Sequence, residues 1–219
     1  MFGKGNASAA KSLLTPDNCA VVIIDHQPQM YFGVASIDRA ALINNVVGLA
    51  KSAKVFGVPM ILTTVTAKTF AGPMSQEIRA VFPDQTPIDR TTVNAWENEE
   101  VVAAVEKTGR KKLVMCGLWT TICLAYPALS AMEAGYEVYA VADCSGDVNS
   151  MSHDMGMQRL IQAGAIPMTW LQVLLEFQRD WSRQATYKAA VEVIRQHAGA
   201  YGQGTQYVEA MVESFGKGG

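Results

Sequence analysis

Residues 112–142 read KLVMCGLWTTICLAYPALSAMEAGYEVYAVA. Two short apolar runs, Lys112 to Cys116 and Tyr136 to Ala142, flank a longer stretch from Thr121 to Gly135 with the length and composition of a helix. Strands apolar throughout are covered on both faces, and a helix between two such strands makes a parallel crossover. The same alternation extends outward in both directions. Ala20 to Ile24 predicts a buried strand, and residues 39–57 a helix whose Leu42, Val46, Leu49, Ala53 and Phe56 recur at helical spacing and which Gly57 ends. Strands follow at Pro59 to Val65 and Pro87 to Arg90, with a short helix near 74–81 between them, and Glu97 to Gly109 is helical. Residues 152–164 predict a further helix, Ala165 to Trp170 a last strand, and 171–214 a largely helical tail rich in apolar side chains. The expectation is a three-layer α/β/α sandwich of Rossmann-like type around a mainly parallel sheet of five or six strands. One domain spans 1–219, with 1–14 as a flexible arm and 183–219 as a helical extension.

Composition narrows the function. A formal net charge of -2 gives no electrostatic reason to expect nucleic acid or an anionic membrane as partner, and no apolar stretch reaches the roughly 20 residues of a membrane span. The first residues lack the apolar middle of a secretory signal, which fits a cytoplasmic protein acting on a small molecule. Neither G-x-G-x-x-G nor G-x-x-x-x-G-K-[ST] occurs, which argues against dinucleotide and ATP chemistry. The three histidines, His26, His153 and His197, lack ligand spacing, so no metal and no cofactor is expected.

Ligands of open parallel sheets bind beyond the carboxyl ends of the strands, where this sequence places Asp25, Arg90, Asp143 and the segment carrying Cys123. No C-x-x-C pair occurs, so the four cysteines read as free thiols. Cys19 and Cys144 read as packing residues, and Cys116 closes an apolar strand, where burial disfavours a thiolate. Cys123 falls in the first turn of a helix that Thr120 or Thr121 can cap, where free N–H groups and the helix dipole stabilise an anion. Pro127 clashes with the carbonyl of residue 123 and predicts an irregular helix start. Two readings stay open, a nucleophilic thiolate and a helix bent to fit its neighbours. Asp25 reads equally as a turn carboxylate, Arg90 as a partner of Asp89, and His26 as a hydrogen-bonded structural histidine.

IIDHQ at 23–27, IDRTTVNAWENE at 88–99, CGLWTTICLAYPALSAMEAGYEVYAVADCSG at 116–146 and MTWLQVLLEFQRDW at 168–181 together resemble the isochorismatase-like cysteine hydrolases, and within them the YcaC-like subgroup. The likeness runs from about residue 15 to about 185. It implies a catalytic triad of Asp25, Arg90 and Cys123, with arginine where most members carry lysine. It also implies a cis peptide at Trp119–Thr120 beside oxyanion donors from the backbone of Cys123 and Thr120 or its neighbour. Trp96 and His26 are substrate-binding candidates, and a homo-oligomer is expected, with an octamer as a candidate. Metal-binding relatives use histidines in the loop after the second strand, and Thr63 to Lys68 has none. The expected activity is hydrolysis of a small amide or related C–N bond through a thioester on Cys123. The alternatives are ether hydrolysis of the isochorismatase type, which uses no cysteine, and a binding or redox protein pairing Cys116 with Cys123.

Overall fold

The computed structural model describes residues 10–216. Six strands form one parallel sheet: β1 (Cys19–Ile24), β2 (Met60–Val65), β3 (Ile88–Arg90), β4 (Lys112–Gly117), β5 (Glu137–Val141) and β6 (Ile166–Met168), in the spatial order β3-β2-β1-β4-β5-β6. The chain winds outward from β1 to β3, returns across the sheet, and winds the other way from β4 to β6. The point of reversal therefore lies between β1 and β4.

Period-two alternation sorts the side chains of each strand onto two faces. Cys19, Val21 and Ile23 of β1, Val114 and Cys116 of β4, and Tyr139 and Val141 of β5 face a layer built from α2 (Arg39–Val55), α3 (Gln76–Val81), α7 (Trp170–Gln178) and α8 (Gln184–His197). Ala20, Val22, Ile24, Leu113, Met115, Val138 and Ala140 face the opposite layer of α4 (Glu99–Lys107), α5 (Ala125–Glu133) and α6 (Ser150–Gln162). The expected three-layer sandwich is the observed one, with six strands, all parallel. A short α1 (Pro28–Phe32) follows β1, and α9 (Gly199–Gly216) ends the described chain. The sequence pattern did not predict α1, because five residues hold too little periodicity to register.

Both ends of the described chain pack onto this core. Residues 1–9 of the expected flexible arm lie outside the described residues, but its last part is packed. Leu14 is fully buried in the core, the side chains of Lys112 and Tyr139 donate to the carbonyls of Lys11 and Ser12, and Arg179 donates to the Leu14 carbonyl at 2.7 Å. At the other end, α8 places Ala190, Val193 and Ile194 in the same apolar layer as α2. Among the described residues, no helix is long and apolar enough to cross a membrane.

The packing of the amino-terminal segment can be checked directly. Leu14→Ala should lower unfolding stability by about 2–5 kcal/mol, the range for truncating a buried leucine. Denaturant unfolding would measure it, and a loss near zero would return this segment to the status of an arm.

Candidate active site

At the point where the winding reverses, β1 delivers Asp25 and β4 delivers the turn bearing Cys123. Asp25 follows β1 with φ of 57°, a left-handed conformation uncommon for a residue with a side chain. Its N–H donates to the Thr63 carbonyl at 3.0 Å, and the Gln27 N–H closes back on the Asp25 carbonyl at 2.8 Å. Gln27 fixes this bend from the side. Its amide nitrogen donates to the carbonyls of Val65 and Gly72 while its oxygen accepts the Val65 N–H, so a buried side chain continues the hydrogen bonding of β2 past the end of the ladder.

Arg90, the last residue of β3, crosses behind β2 to meet this carboxylate. Its Nη2 lies 2.6 Å from Asp25 Oδ2, and both side chains are 0% exposed. The other arm, Nη1, donates to the carbonyls of Thr92 and Val93. Asp89, the alternative partner of Arg90, is engaged elsewhere, accepting from Thr64 Oγ1 and the Ala67 N–H. Asp25 Oδ1 has no conventional hydrogen-bond partner, and the Cys123 thiol interacts with the Asp25 carboxylate. Asp25, Arg90 and Cys123 thus come together as the resemblance implied.

The helix start is irregular in the way Pro127 requires. Residues Thr120–Leu124 form a π-helical turn ahead of α5, with the Leu124 N–H reaching back five residues to the Trp119 carbonyl at 3.2 Å. A wider turn relieves the clash of the proline ring with the carbonyl four residues before it. Two glycines let this turn sit close. A Cβ on Gly117 would lie 3.1 Å from Ile24 Cβ and 3.4 Å from the Cys123 carbonyl carbon, and one on Gly156 of α6 would lie 3.1 Å from Thr120 Cγ2.

Several expectations are corrected here. The cis peptide joins Leu118 to Trp119, one bond earlier than Trp119–Thr120, because β4 runs on through Gly117 before the chain turns. Neither threonine caps the turn with its side chain. Thr120 Oγ1 pairs with His153 Nδ1 at 2.8 Å, and both the N–H and Oγ1 of Thr121 donate to Asp147 Oδ2. The Thr120 N–H is already bonded to the Gly146 carbonyl, so it is not an open oxyanion donor. The Trp119 backbone instead hydrogen-bonds the Cys123 sulfur, and its indole is held by the Met30 carbonyl.

The resting thiol is not the thiolate that the helix-start argument predicted. Burial, then the charge of Asp25 and its hydrogen bond, push Cys123 up to about 12, against smaller opposing contributions from the Trp119 backbone and Arg90. Burial likewise raises Asp25, against the downward pull of Arg90 and Cys123. One proton is therefore held between two groups that both resist ionisation.

His26 is a structural residue. It is fully buried, its Nδ1 pairs with Tyr31 Oη at 2.8 Å, and burial lowers it to about 3, so it stays neutral. Trp96 stacks edge-on against Tyr136, 5.3 Å between ring centres, and Tyr136 precedes β5 at the amino end of the strands, away from Cys123. Asp143 accepts the Trp170 N–H at 2.9 Å and so caps α7 instead of joining the site. Cys116 points into the sheet face opposite the one holding Cys123, and all four cysteines are free, so the proposed Cys116–Cys123 pair has no geometry to form it. Among the described residues, no group of three His, Cys, Asp or Glu is arranged to hold a metal ion. Sequence reasoning missed Gln27 and Asp147. Asp147 offered one signal, an acid in the Gly-Asp turn after β5, on the edge where the site lies.

Comparisons with known proteins identify the family and agree with the fold. The model of the isochorismatase domain matches residues 19–172. The chain belongs to the isochorismatase family. It is 43% identical over 169 residues to "Probable hydrolase YcaC" of Escherichia coli strain K12, covering 77% of this chain and 81% of that protein. The E. coli YcaC crystal structure, described as an octameric hydrolase of unknown specificity, superposes with a TM-score of 0.88 at 36% identity, covering 93% of this chain and all of that one. YcaC from Pseudomonas aeruginosa, solved with hexane-2,5-diol and covalent acrylamide, gives 0.85 at 35% identity, covering 95% and 100%. The chain is an isochorismatase-family hydrolase of YcaC-like type.

The carboxylate's hold on the thiol proton sets a test. In Asp25→Asn the charge that raises Cys123 is gone while Arg90, which lowers it, remains, so the thiol pKa should fall. Iodoacetamide at pH 8 should then label Cys123 several-fold faster than in the unaltered protein. The variant should also be less stable by about 3–5 kcal/mol, since it leaves a buried guanidinium unpaired. An unchanged labelling rate in folded variant would mean that Asp25 does not control the thiol.

Proposed function

We propose that the protein is a cysteine hydrolase that cleaves a small amide or related C–N bond through a thioester on Cys123. The observation that carries this reading is the juxtaposition of Arg90, Asp25 and Cys123, in which the carboxylate of a buried ion pair also meets the thiol. Of the four cysteines, Cys123 alone retains exposure, 8%, while Cys19, Cys116 and Cys144 are at 0%. Acrylamide is an electrophile to which thiols add. Its covalent presence in the P. aeruginosa relative supports a reactive sulfur in this fold.

Asp25 accepts the thiol proton as the sulfur forms a bond to the carbonyl carbon, and the oxygen takes the electron pair of the C=O bond. Collapse breaks the C–N bond, and Asp25 gives the proton to the leaving nitrogen, which departs with it. Water then gives a proton to Asp25 and attacks the thioester, and as the C–S bond breaks Asp25 restores the thiol. The net charge of the site is the same before and after each proton transfer, because the proton lost with the amine is replaced by one from water. With the Thr120 and Thr121 amides engaged and the Trp119 backbone on the sulfur, the oxyanion donor in this reading is the backbone N–H of Cys123. Arg90 acts as a fixed cation: its guanidinium keeps its proton and orients Asp25 through a two-armed grip that a lysine ammonium cannot copy. A free thiol beside a paired carboxylate disfavours the ether-hydrolysing alternative, which has no use for a cysteine.

We also propose a homo-oligomer. Trp181, Tyr187, Tyr201 and Val208 place large exposed apolar surface on the carboxyl-terminal helices, and the E. coli relative is an octamer. Light scattering should give a mass that is a multiple of 23.7 kDa.

A panel of amides, imides and esters mixed with enzyme in single turnover and quenched in acid should leave an acyl adduct on Cys123, read by intact mass. Cys123→Ala should lose the adduct and at least a thousandfold in rate. Turnover by Cys123→Ala at an undiminished rate would end the thioester reading.

A further inference from the structure

The loops around the reactive sulfur are almost without charge. Residues 26–37 after β1, 91–96 after β3 and 117–132 after β4 contain no Asp, Glu, Lys or Arg, in a chain that is 17% charged. Residues 66–75 after β2 hold one, Lys68, and residues 144–153 after β5 hold one, Asp147. Asp147 is buried and saturated by the Thr121 N–H, Thr121 Oγ1 and the Val148 N–H. Arg39, just beyond the first loop, donates to the carbonyls of Tyr31 and Phe32. Arg90 is sealed behind Asp25 with no exposed side-chain surface, so it cannot clamp a substrate anion.

Besides the neutral polar residues Gln29, Thr69, Thr91, Asn149 and Ser150, these segments expose large apolar side chains, Phe32, Phe70, Val93, Tyr126, Val148 and Met151, between 39% and 75% exposed.

We propose that the site selects substrates that carry no charge near the scissile bond. The inference rests on Cys123 being the reactive group and deepens that reading by naming the substrate class. The internal charges cancel, Asp25 against Arg90, so an added carboxylate would lose water without gaining a counter-ion, whereas a neutral amide gives up little.

The test uses the thiol itself, so that it reads out without turnover. Iodoacetamide and iodoacetate differ in charge, and each reacts by forming an S–C bond as the C–I bond breaks and iodide leaves. Their second-order rates with Cys123 are each divided by the rate with free cysteine at the same pH, which cancels reagent reactivity. Cys123→Ala supplies the background. The neutral reagent should be favoured at least tenfold, equally in the unaltered protein and in Lys68→Ala. An equal or reversed ratio, or an iodoacetate rate that falls in Lys68→Ala, overturns the proposal by revealing anion recognition. Labelling by neither reagent would overturn the accessibility of Cys123, and this proposal with it. A tenfold preference without hydrolysis of any amide would keep the charge selectivity and remove only the thioester mechanism.

Discussion

The ion pair between Asp25 and Arg90 is the constraint around which the site is built. Both side chains are wholly shielded from water, so either charge alone would be costly and together they are tolerated only in close contact. That requirement dictates the surroundings. Two backbone carbonyls take the second arm of the guanidinium, and Asp25 is held in a left-handed bend by its neighbours and by Gln27. The Cys123 thiol meets the carboxylate of this pair. The protonation of the thiol is therefore governed by burial and by the pair more than by the helix start.

How far the sequence reveals this depends on the range of the interaction. Strand β1 is legible because all six of its residues are buried, and the parallel sheet follows from several such runs separated by helices. Pro127 announces the π-helical turn because its conflict is with a carbonyl only four residues away. The capping is not legible, since Thr120 and Thr121 have the right chemistry for it but meet better partners in His153 and Asp147, which lie 33 and 26 residues along the chain. Trp96 and His26 were placed near the site by sequence proximity to Arg90 and Asp25. Adjacent residues on an extended strand or bend point in different directions, and these two turn toward Tyr136 and Tyr31.

The strand-end rule and the family likeness both point to Asp25, Arg90 and Cys123, because the first two stand where strands end and the third lies in the turn after one. What neither route could supply was the protonation state. A helix start with unpaired amides argues for a thiolate, yet here the first amides of the turn are occupied by Gly146 and Asp147, which cancels much of the stabilisation that the dipole argument assumes. Burial and the adjacent carboxylate then act in the same direction, and the proton stays on sulfur.

A thiol held high has a functional logic. A buried thiolate at rest would carry a net negative charge into a site from which water is excluded, and it would be open to any electrophile or oxidant that reached it. With the proton shared between Asp25 and Cys123, the site is neutral at rest and neutral after the proton has moved, so activation requires no new uncompensated charge in the interior. In the proposed mechanism the driving force would come from the substrate carbonyl, whose developing oxyanion meets a backbone N–H only when it occupies the correct position. Nucleophilicity would thereby be conditional on the presence of the substrate.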